Sequence, residues 1–142
     1  MAGSLVIVLF LSLEQSFVYS EMQRFQGSWT MQSAALDDKE FNSAVGREII
    51  FQGFNVRSLF PRDAVDIERM PFVVNPLRRP PVICGWCEGI YEFQQDELKI
   101  CLKYHGQGVE GEAARTWKPP GDFSIKKGQG HYLFVLKRKP GQ

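Results

Sequence analysis

Residues 88–103 constrain the fold most, because two segments that alternate between apolar and polar side chains flank a polar centre at residues 94–97. Alternation with a period of two is typical of half-buried β-strands, and a short polar break between two such segments predicts a β-hairpin. The register that gathers the apolar side chains on one face pairs Phe93 with Leu98, Tyr91 with Ile100, Gly89 with Leu102, Glu92 with Lys99, Glu88 with Lys103 and Ile90 with Cys101. A shift by one residue would turn the apolar set toward water, so the pattern specifies this register.

Further segments of the chain have the character of short strands. In the first of them, Phe25, Gly27, Trp29 and Met31 share one face. The proline-rich region that begins at Pro71 is expected at sheet edges and in loops, because proline cannot donate a backbone hydrogen bond. The last segment, residues 131–138, is expected to pair with residues 123–125 across a turn at residues 126–130. The predicted strands outside the hairpin are residues 25–32, 47–51, 54–60, 65–68, 72–74, 123–125 and 131–138.

These strands predict an all-β domain. No segment of ten or more residues shows convincing helical periodicity, and residues 33–41 come closest. A length of 142 residues with 44% apolar side chains suits one globular domain. About eight short strands at fairly regular spacing predict a barrel or a sandwich.

The amino-terminal residues resemble a secretory leader. Residues 5–13 form an apolar run that is too short to cross a bilayer as a helix, and residues 18–20 offer a cleavage site. This pattern predicts a secretory signal over residues 1–20, and therefore a periplasmic or secreted protein. The run lacks a preceding Lys or Arg, however, and Glu14 follows it directly. The alternatives are a mis-assigned start codon or a segment that packs on the domain, with a cytoplasmic location if the leader is not cleaved.

The cysteines and histidines raise the question of a metal or redox site. Cys84, Cys87, Cys101 and His105 have nominal zinc-ligand spacing. The predicted hairpin argues against one ion, because Cys101 and His105 would lie ~13 Å apart on an extended strand. Cys84 and Cys87 enter a strand rather than a helix, so the helix dipole that activates a redox dithiol is missing. A local disulfide or two ordinary thiols is the preferred interpretation, and a thiol or zinc protein is the alternative.

No other constellation indicates catalysis. The sequence has no nucleophile elbow, no P-loop and no dinucleotide fingerprint after a strand, so we expect no enzyme activity and no cofactor. Nucleic acid is a less favoured partner. The net charge is +1, and the basic residues from Arg115 onward are explained as the solvated end of the last strand. Tyr132 and Phe134 beside them are explained equally well by core packing as by base stacking.

Four stretches together resemble a family of small bacterial domains of unknown function, the planctomycete-type domains that are regarded as lipocalin-like. The stretches are residues 25–29, 89–93, 98–102 and 128–138. The resemblance implies a single antiparallel, lipocalin-like up-and-down barrel of about eight to ten strands over residues 21–142. It also implies a structural signature in which Arg138 covers the ring of Trp29 and Gly27 allows close backbone approach. The family implies no established ligand, so the ligand-binding residues stay unknown.

The preferred hypothesis is a non-catalytic barrel that binds a small apolar ligand or a protein partner. The hypothesis rests on the predicted aromatic interior face, which is formed by Phe25, Trp29, Tyr91 and Phe93. An eight-stranded barrel can be filled by side chains or can keep a ligand cavity.

Overall fold

The computed structural model describes residues 15–40, 42–59, 69–85, 87–104, 120–125 and 130–141. Residues 15–25 are helical and are called α1. Nine strands follow in the described part of the chain. They are β1 (Gly27–Leu36), β2 (Lys39–Glu40), β3 (Glu48–Gln52), β4 (Asn55–Arg57), β5 (Arg69–Asn75), β6 (Val82–Gly85), β7 (Cys87–Gln94), β8 (Glu97–Tyr104) and β9 (His131–Arg138). A short 3₁₀ turn, Asn42–Ala44, precedes β3.

The strands form a closed antiparallel barrel. Strands β3 to β8 each pair with the next strand in the chain, and β1 pairs with both β3 and β9, which closes eight strands into a ring. Strand β2 is an extra strand that pairs with the end of β1. The predicted all-β barrel is therefore confirmed. Closure leaves the eight barrel strands with neighbours on both sides, which removes most of the exposed edge of an open sheet.

The β7–β8 hairpin has the register that the sequence predicts. All six predicted pairs are present, from Glu88 opposite Lys103 to Phe93 opposite Leu98. The apolar face points into the barrel, where Leu98, Ile100 and Leu102 are fully buried. Alternation and cross-strand charge pairs therefore predicted this part of the fold in detail.

Four expectations are corrected by the structure. Residues 15–25 form a helix, although the sequence was interpreted as having none of this length, and Phe25 ends this helix instead of starting β1. Residues 33–36, part of the weak helical candidate, belong to β1. Residues 123–125 are not a strand, and β9 pairs with β8 and β1 instead. Pro71 lies inside β5, which has strands on both sides. Residues 65–68 lie outside the described residues.

Proline is tolerated inside β5 because of where it sits in the ladder. Pro71 pairs with Asn55 at the start of β4, and its side chain is exposed on the outer face. The neighbouring side chains of β5 alternate strictly, with Met70, Phe72 and Val74 buried. Strand β4 is only three residues long, so β5 forms few hydrogen bonds on that side. The backbone N–H that proline lacks therefore removes little from the ladder.

A charge exchange in the hairpin tests its outer face. Glu92→Lys is expected to lower the free energy of unfolding by a few tenths of a kcal/mol to about 1 kcal/mol, because it places two cations opposite each other on β7 and β8. Adding Lys99→Glu should restore most of the loss. Urea unfolding of both single variants and the double variant gives the coupling energy. Additive losses with no coupling would contradict a direct Glu92–Lys99 pair.

Candidate functional site

Side chains from two strands bind the carbonyl groups at the end of α1. The Nε1–H of Trp29 donates to the carbonyl of Phe25 at 2.7 Å. The guanidinium of Arg138 donates to the carbonyl of Gln26 at 3.0 Å and to that of Arg24. The last carbonyls of a helix lack partners within the helix and carry partial negative charge, so a cation there satisfies and stabilises them.

The same guanidinium covers the indole ring. Its carbon lies 4.1 Å from the ring centroid of Trp29, and the two residues are also paired in the β1–β9 ladder. This is the arrangement that the resemblance implies for the signature. Gly27, the third signature residue, opens β1 with a φ of 112°, a conformation that favours glycine. Trp29 and Arg138 therefore join α1 to the barrel, which is a structural role.

Gln26 joins α1 to the β3–β4 turn and was not singled out from the sequence. Its side-chain amide donates to the carbonyl of Gly53 at 3.0 Å and accepts from the backbone N–H of the same residue at 2.7 Å. It also donates to the carbonyl of Met22 within the helix. A glutamine that imitates a backbone pair leaves no periodic signal in a sequence, so only the fold reveals this contact.

On the other side of α1, a polar cluster links the helix to strand β7. The hydroxyl of Tyr91 donates to Oε1 of Glu21 at 3.0 Å, and Glu21 pairs with Arg24 at 3.1 Å. The Arg24 guanidinium stands 4.2 Å from the ring centroid of Phe93. Burial, and then the nearby Glu21 carboxylate, raise the pKa of the Tyr91 hydroxyl far above its ordinary value. This hydroxyl therefore stays protonated and acts as a donor, and it is unsuited to act as a base.

The barrel interior beneath α1 is filled by aromatic rings. Phe25 enters from the helix and contacts the rings of Phe51, Phe72, Tyr91 and Phe93 at centroid separations of 4.9–5.5 Å. Edge-to-face and tilted contacts of this kind are the preferred geometries of aromatic pairs. The aromatic face that motivated a ligand cavity thus packs against itself, and the open spaces described next lie at the rim of the barrel.

The largest of these spaces is a groove between α1 and the β3–β4 turn, with a volume of about 630 Å³. None of its described lining residues is charged. The helix contributes Val18, Tyr19 and Met22, and the turn contributes Phe54. Met22 is buried and Val18 is half-buried against the core, whereas Tyr19 and Phe54 are exposed at the rim. The glutamines Gln15, Gln23 and Gln26 also line the groove. An apolar floor below exposed aromatic side chains can accept an uncharged apolar group.

A second cleft of about 390 Å³ lies on the opposite flank of α1. Its walls include the ion pair of Glu21 and Arg24, the ring of Phe123 and two prolines, Pro80 and Pro81. Two of the charged groups that border it, Glu21 and Arg24, already bind each other, and Glu21 also binds Tyr91. The cleft is therefore a weaker candidate for a ligand than the apolar groove.

The proposed zinc ligands are not brought together in the part of the chain that the structure describes. Cys84 lies on the outer face of β6, two strands away from Cys101 on β8. Both are free thiols, and no group of three or more His, Cys, Asp or Glu residues there could hold a metal ion. His105 and the side chain of Cys87 lie outside the described residues.

Cys101 belongs to an apolar row on the outside of the barrel. The ladders align Val82, Ile90, Cys101 and Leu133 across strands β6 to β9. Ile90 and Cys101 are fully buried although their side chains point away from the interior. Burial, with a smaller effect of the Asp122 carboxylate, raises the pKa of the Cys101 thiol to about 11. Cys101 is thus a sheet residue, as the sequence indicated, and the structure also buries it on the outer face.

Thiol labelling checks this placement of Cys101. In a Cys84→Ser/Cys87→Ser background, the remaining thiol should react with a disulfide reagent at pH 8 more than about 100-fold slower than a free cysteine, because it is buried and its thiolate fraction is low. Denaturant should restore the ordinary rate. Complete labelling of the folded protein within minutes would contradict the buried position.

His131 is a second titratable group in an unfavourable environment. Its Nδ1 atom is buried and has no hydrogen-bond partner among the described residues. Burial, together with the Lys103 ammonium opposite it on β8, lowers the pKa of the imidazole, and the carboxylates of Asp37 and Asp122 oppose the shift. The folded protein therefore favours the neutral ring.

This environment predicts a pH dependence of stability. The unfolded chain takes up a proton as the pH falls through about 6.5, whereas the folded chain resists it until a lower pH. The contribution of His131 to the free energy of unfolding is therefore fully present above pH 6.5 and is lost as the pH falls below that value. Urea unfolding at pH 8, 6.5 and 5 should show a smaller loss for His131→Gln than for the unaltered protein. Equal losses in both proteins would mean that His131 does not contribute.

Within the described residues, no helix has the length and apolar character that crossing a bilayer requires. Comparisons of the chain with protein-family models, with curated proteins and with solved structures found no match.

Proposed function

We propose that this chain is a non-catalytic, lipocalin-like barrel that binds a small, uncharged apolar ligand in the groove between α1 and the β3–β4 turn. The observation that carries the proposal is the groove itself, which combines a volume of about 630 Å³ with described walls that hold no charged residue. Pockets of this size and character are typical of sites for small organic ligands. The aromatic interior supports a site at the rim, because the rings occupy the volume that a lipocalin ligand would need.

The absence of a reaction is part of the proposal. The tyrosine hydroxyl near the rim is held protonated by its surroundings. The polar groups on the buried side chains of the described barrel are the hydroxyls of Tyr91 and Tyr132, the indole N–H of Trp29 and the thiol of Cys101. The polar groups at the end of α1 bind backbone carbonyls or each other. They hold the helix on the barrel, which is a sufficient physical reason for their presence.

The proposal concerns a chain that keeps residues 15–20, because Val18 and Tyr19 form one wall of the groove. Val18 packs against the core, which supports the interpretation of this segment as part of the domain. Amino-terminal sequencing of the protein from its own host is therefore a direct check. A mature chain that begins near Glu21 would lack this wall and would contradict the proposal.

Fluorescence titration with the neutral apolar probe N-phenyl-1-naphthylamine tests the binding site. We expect saturable binding to the full chain at one site. Val18→Trp should fill the groove and weaken probe binding by about tenfold or more, the equivalent of about 1.4 kcal/mol. Ser16→Trp adds the same ring to an exposed position of α1 that does not line the groove, and it should leave the affinity unchanged. Equal affinity in both variants would rule out this groove.

A further inference from the structure

The strand registers define which structural elements meet at each end of the barrel. Strand β1 begins beside the end of β3, at Gly27 opposite Phe51, so α1 and the β3–β4 turn share one end. Because the strands alternate in direction, the connection from β5 to β6 and the turn from β7 to β8 return to that same end. We call it the helix-bearing end. Val45, before β3, lies toward the opposite end of that strand.

Exposed apolar side chains are concentrated at the helix-bearing end. Phe17 and Tyr19 on α1 are 58% and 67% exposed, Phe54 in the β3–β4 turn is 64% exposed, and Leu77 after β5 is 55% exposed. Among the described residues, these are four of the six large hydrophobic side chains with high exposure. Isolated exposed apolar residues need no explanation, but several at one end of a molecule indicate an interaction surface.

The charges around these side chains favour a particular kind of surface. Residues 15–20 and 52–55 include no charged side chain, so they can leave water at little electrostatic cost. Arg78 and Arg79 follow Leu77 directly and are exposed, and the acidic residues Asp96 and Glu97 lie at the β7–β8 turn, away from Leu77 in the sequence. Aromatic residues that insert beside cations fit the boundary between the acyl chains and the phosphate groups of a lipid bilayer. The chain also reaches α1 from the apolar run of residues 5–13, which is a lipid-compatible composition.

We propose that the helix-bearing end docks on the surface of a lipid bilayer. Phe17, Tyr19 and Phe54 insert shallowly between the lipids, and Arg78 and Arg79 contact the phosphate groups. The groove of the proposed function lies at the same end, between α1 and the β3–β4 turn, so docking would bring it close to the bilayer. Docking itself does not depend on a ligand in the groove.

Vesicle flotation of the full chain tests the proposal. We expect binding to vesicles of phosphatidylcholine, and tighter binding when a fifth of the lipid is phosphatidylglycerol. The combined substitution Phe17→Ser/Tyr19→Ser/Phe54→Ser should lower the partition coefficient on both vesicles by about tenfold or more. Arg78→Gln/Arg79→Gln should abolish the added effect of phosphatidylglycerol and should have little effect on neutral vesicles.

The control is Val45→Ser/Val73→Ser, which removes two exposed apolar side chains outside the helix-bearing end and should leave partitioning unchanged. Because all the replaced side chains are exposed, every variant should unfold at a urea concentration close to that of the parent. Binding that survives the triple substitution would place the lipid contact elsewhere and overturn the proposal. The proposal would also be overturned if the chain did not bind vesicles and instead sedimented as a dimer, and if the triple substitution dissociated that dimer.

The two proposals fail in different experiments. Val18→Trp fills the groove but keeps the three exposed aromatic residues, so it should bind the probe more weakly in solution and still float with vesicles. If the unaltered chain binds the probe but does not float with vesicles, docking alone is overturned. If the unaltered chain floats but does not bind the probe, the ligand site alone is overturned.

Discussion

Replacing Trp29 by alanine is expected to lower the free energy of unfolding by about 3–5 kcal/mol. The ring is completely buried and contacts Phe51 and Phe93 at centroid distances of 6.5 and 6.1 Å. Its removal leaves a large cavity and also deprives the Phe25 carbonyl of the indole donor. Urea unfolding followed by circular dichroism measures the loss.

Two further variants separate the contributions of Trp29. Trp29→Phe keeps much of the ring but removes the Nε1 donor, so it should cost less than alanine. A cycle with Arg138→Ala should give a coupling energy of about 0.5–2 kcal/mol for the guanidinium over the ring. Phe54→Ala is the matched control, because this aromatic side chain is exposed and its loss should cost under ~1 kcal/mol. A cost for Trp29→Ala as small as that of the control would show that the ring does not support the barrel.

The part of the fold that the sequence predicted best is the part in which independent signals agree. In the β7–β8 hairpin, apolar alternation and opposite charges on the other face specify one register. The exception on the outer face is the pair of Ile90 and Cys101, which the alternation places toward water. The structure buries both, and residues 120–125 pass near them. Asp122 is close enough to affect the thiol of Cys101, and the Lys99 ammonium lies 5.6 Å from the ring centroid of Phe123.

That same segment explains the incorrect strand at residues 123–125. Its short apolar pattern resembles a strand, and residues 126–130 resemble a turn. The barrel gives β9 two other neighbours, β8 and β1, which together satisfy both of its edges. A local pattern predicts that a segment can pair, but the closure of a barrel decides which strands are available as partners. The segment therefore lies on the outer face, near Ile90 and Cys101.

Helix α1 was missed because its signal is short and adjoins a stronger pattern. Val18, Met22 and Phe25 have the spacing of one helical face, and these three side chains do face the core. The apolar run of residues 5–13, however, led to the interpretation of a leader and a cleavage site. Three turns of helix give few repeats, and the contacts that stabilise α1 come from residues far along the chain, such as Arg138 and Tyr91. Long-range contacts of this kind are not visible in local periodicity, and the groove that they form could not be predicted.

Phe25→Ala is the second substitution with a large expected effect, about 3–5 kcal/mol of unfolding free energy. Phe25 is fully buried and contacts four aromatic rings from strands β3, β5 and β7. It is also the residue by which α1 enters the barrel. Besides lowering global stability, the substitution should loosen the helix, so amide hydrogen exchange in residues 15–25 should accelerate more than exchange in β8.

The exchange pattern separates a loss of packing from a loss of attachment. Phe25→Leu keeps an apolar side chain in the cavity and should cost about half as much or less, with α1 still protected. Met22→Ala removes a buried side chain from the same helix without touching the four-ring contact, and should cost about 2–3 kcal/mol. If Phe25→Ala accelerates exchange equally in α1 and in β8, then helix and barrel unfold as one unit. If α1 exchanges rapidly in the unaltered protein, then the ring contacts do not hold it, and neither the groove nor the helix-bearing end would have a fixed wall.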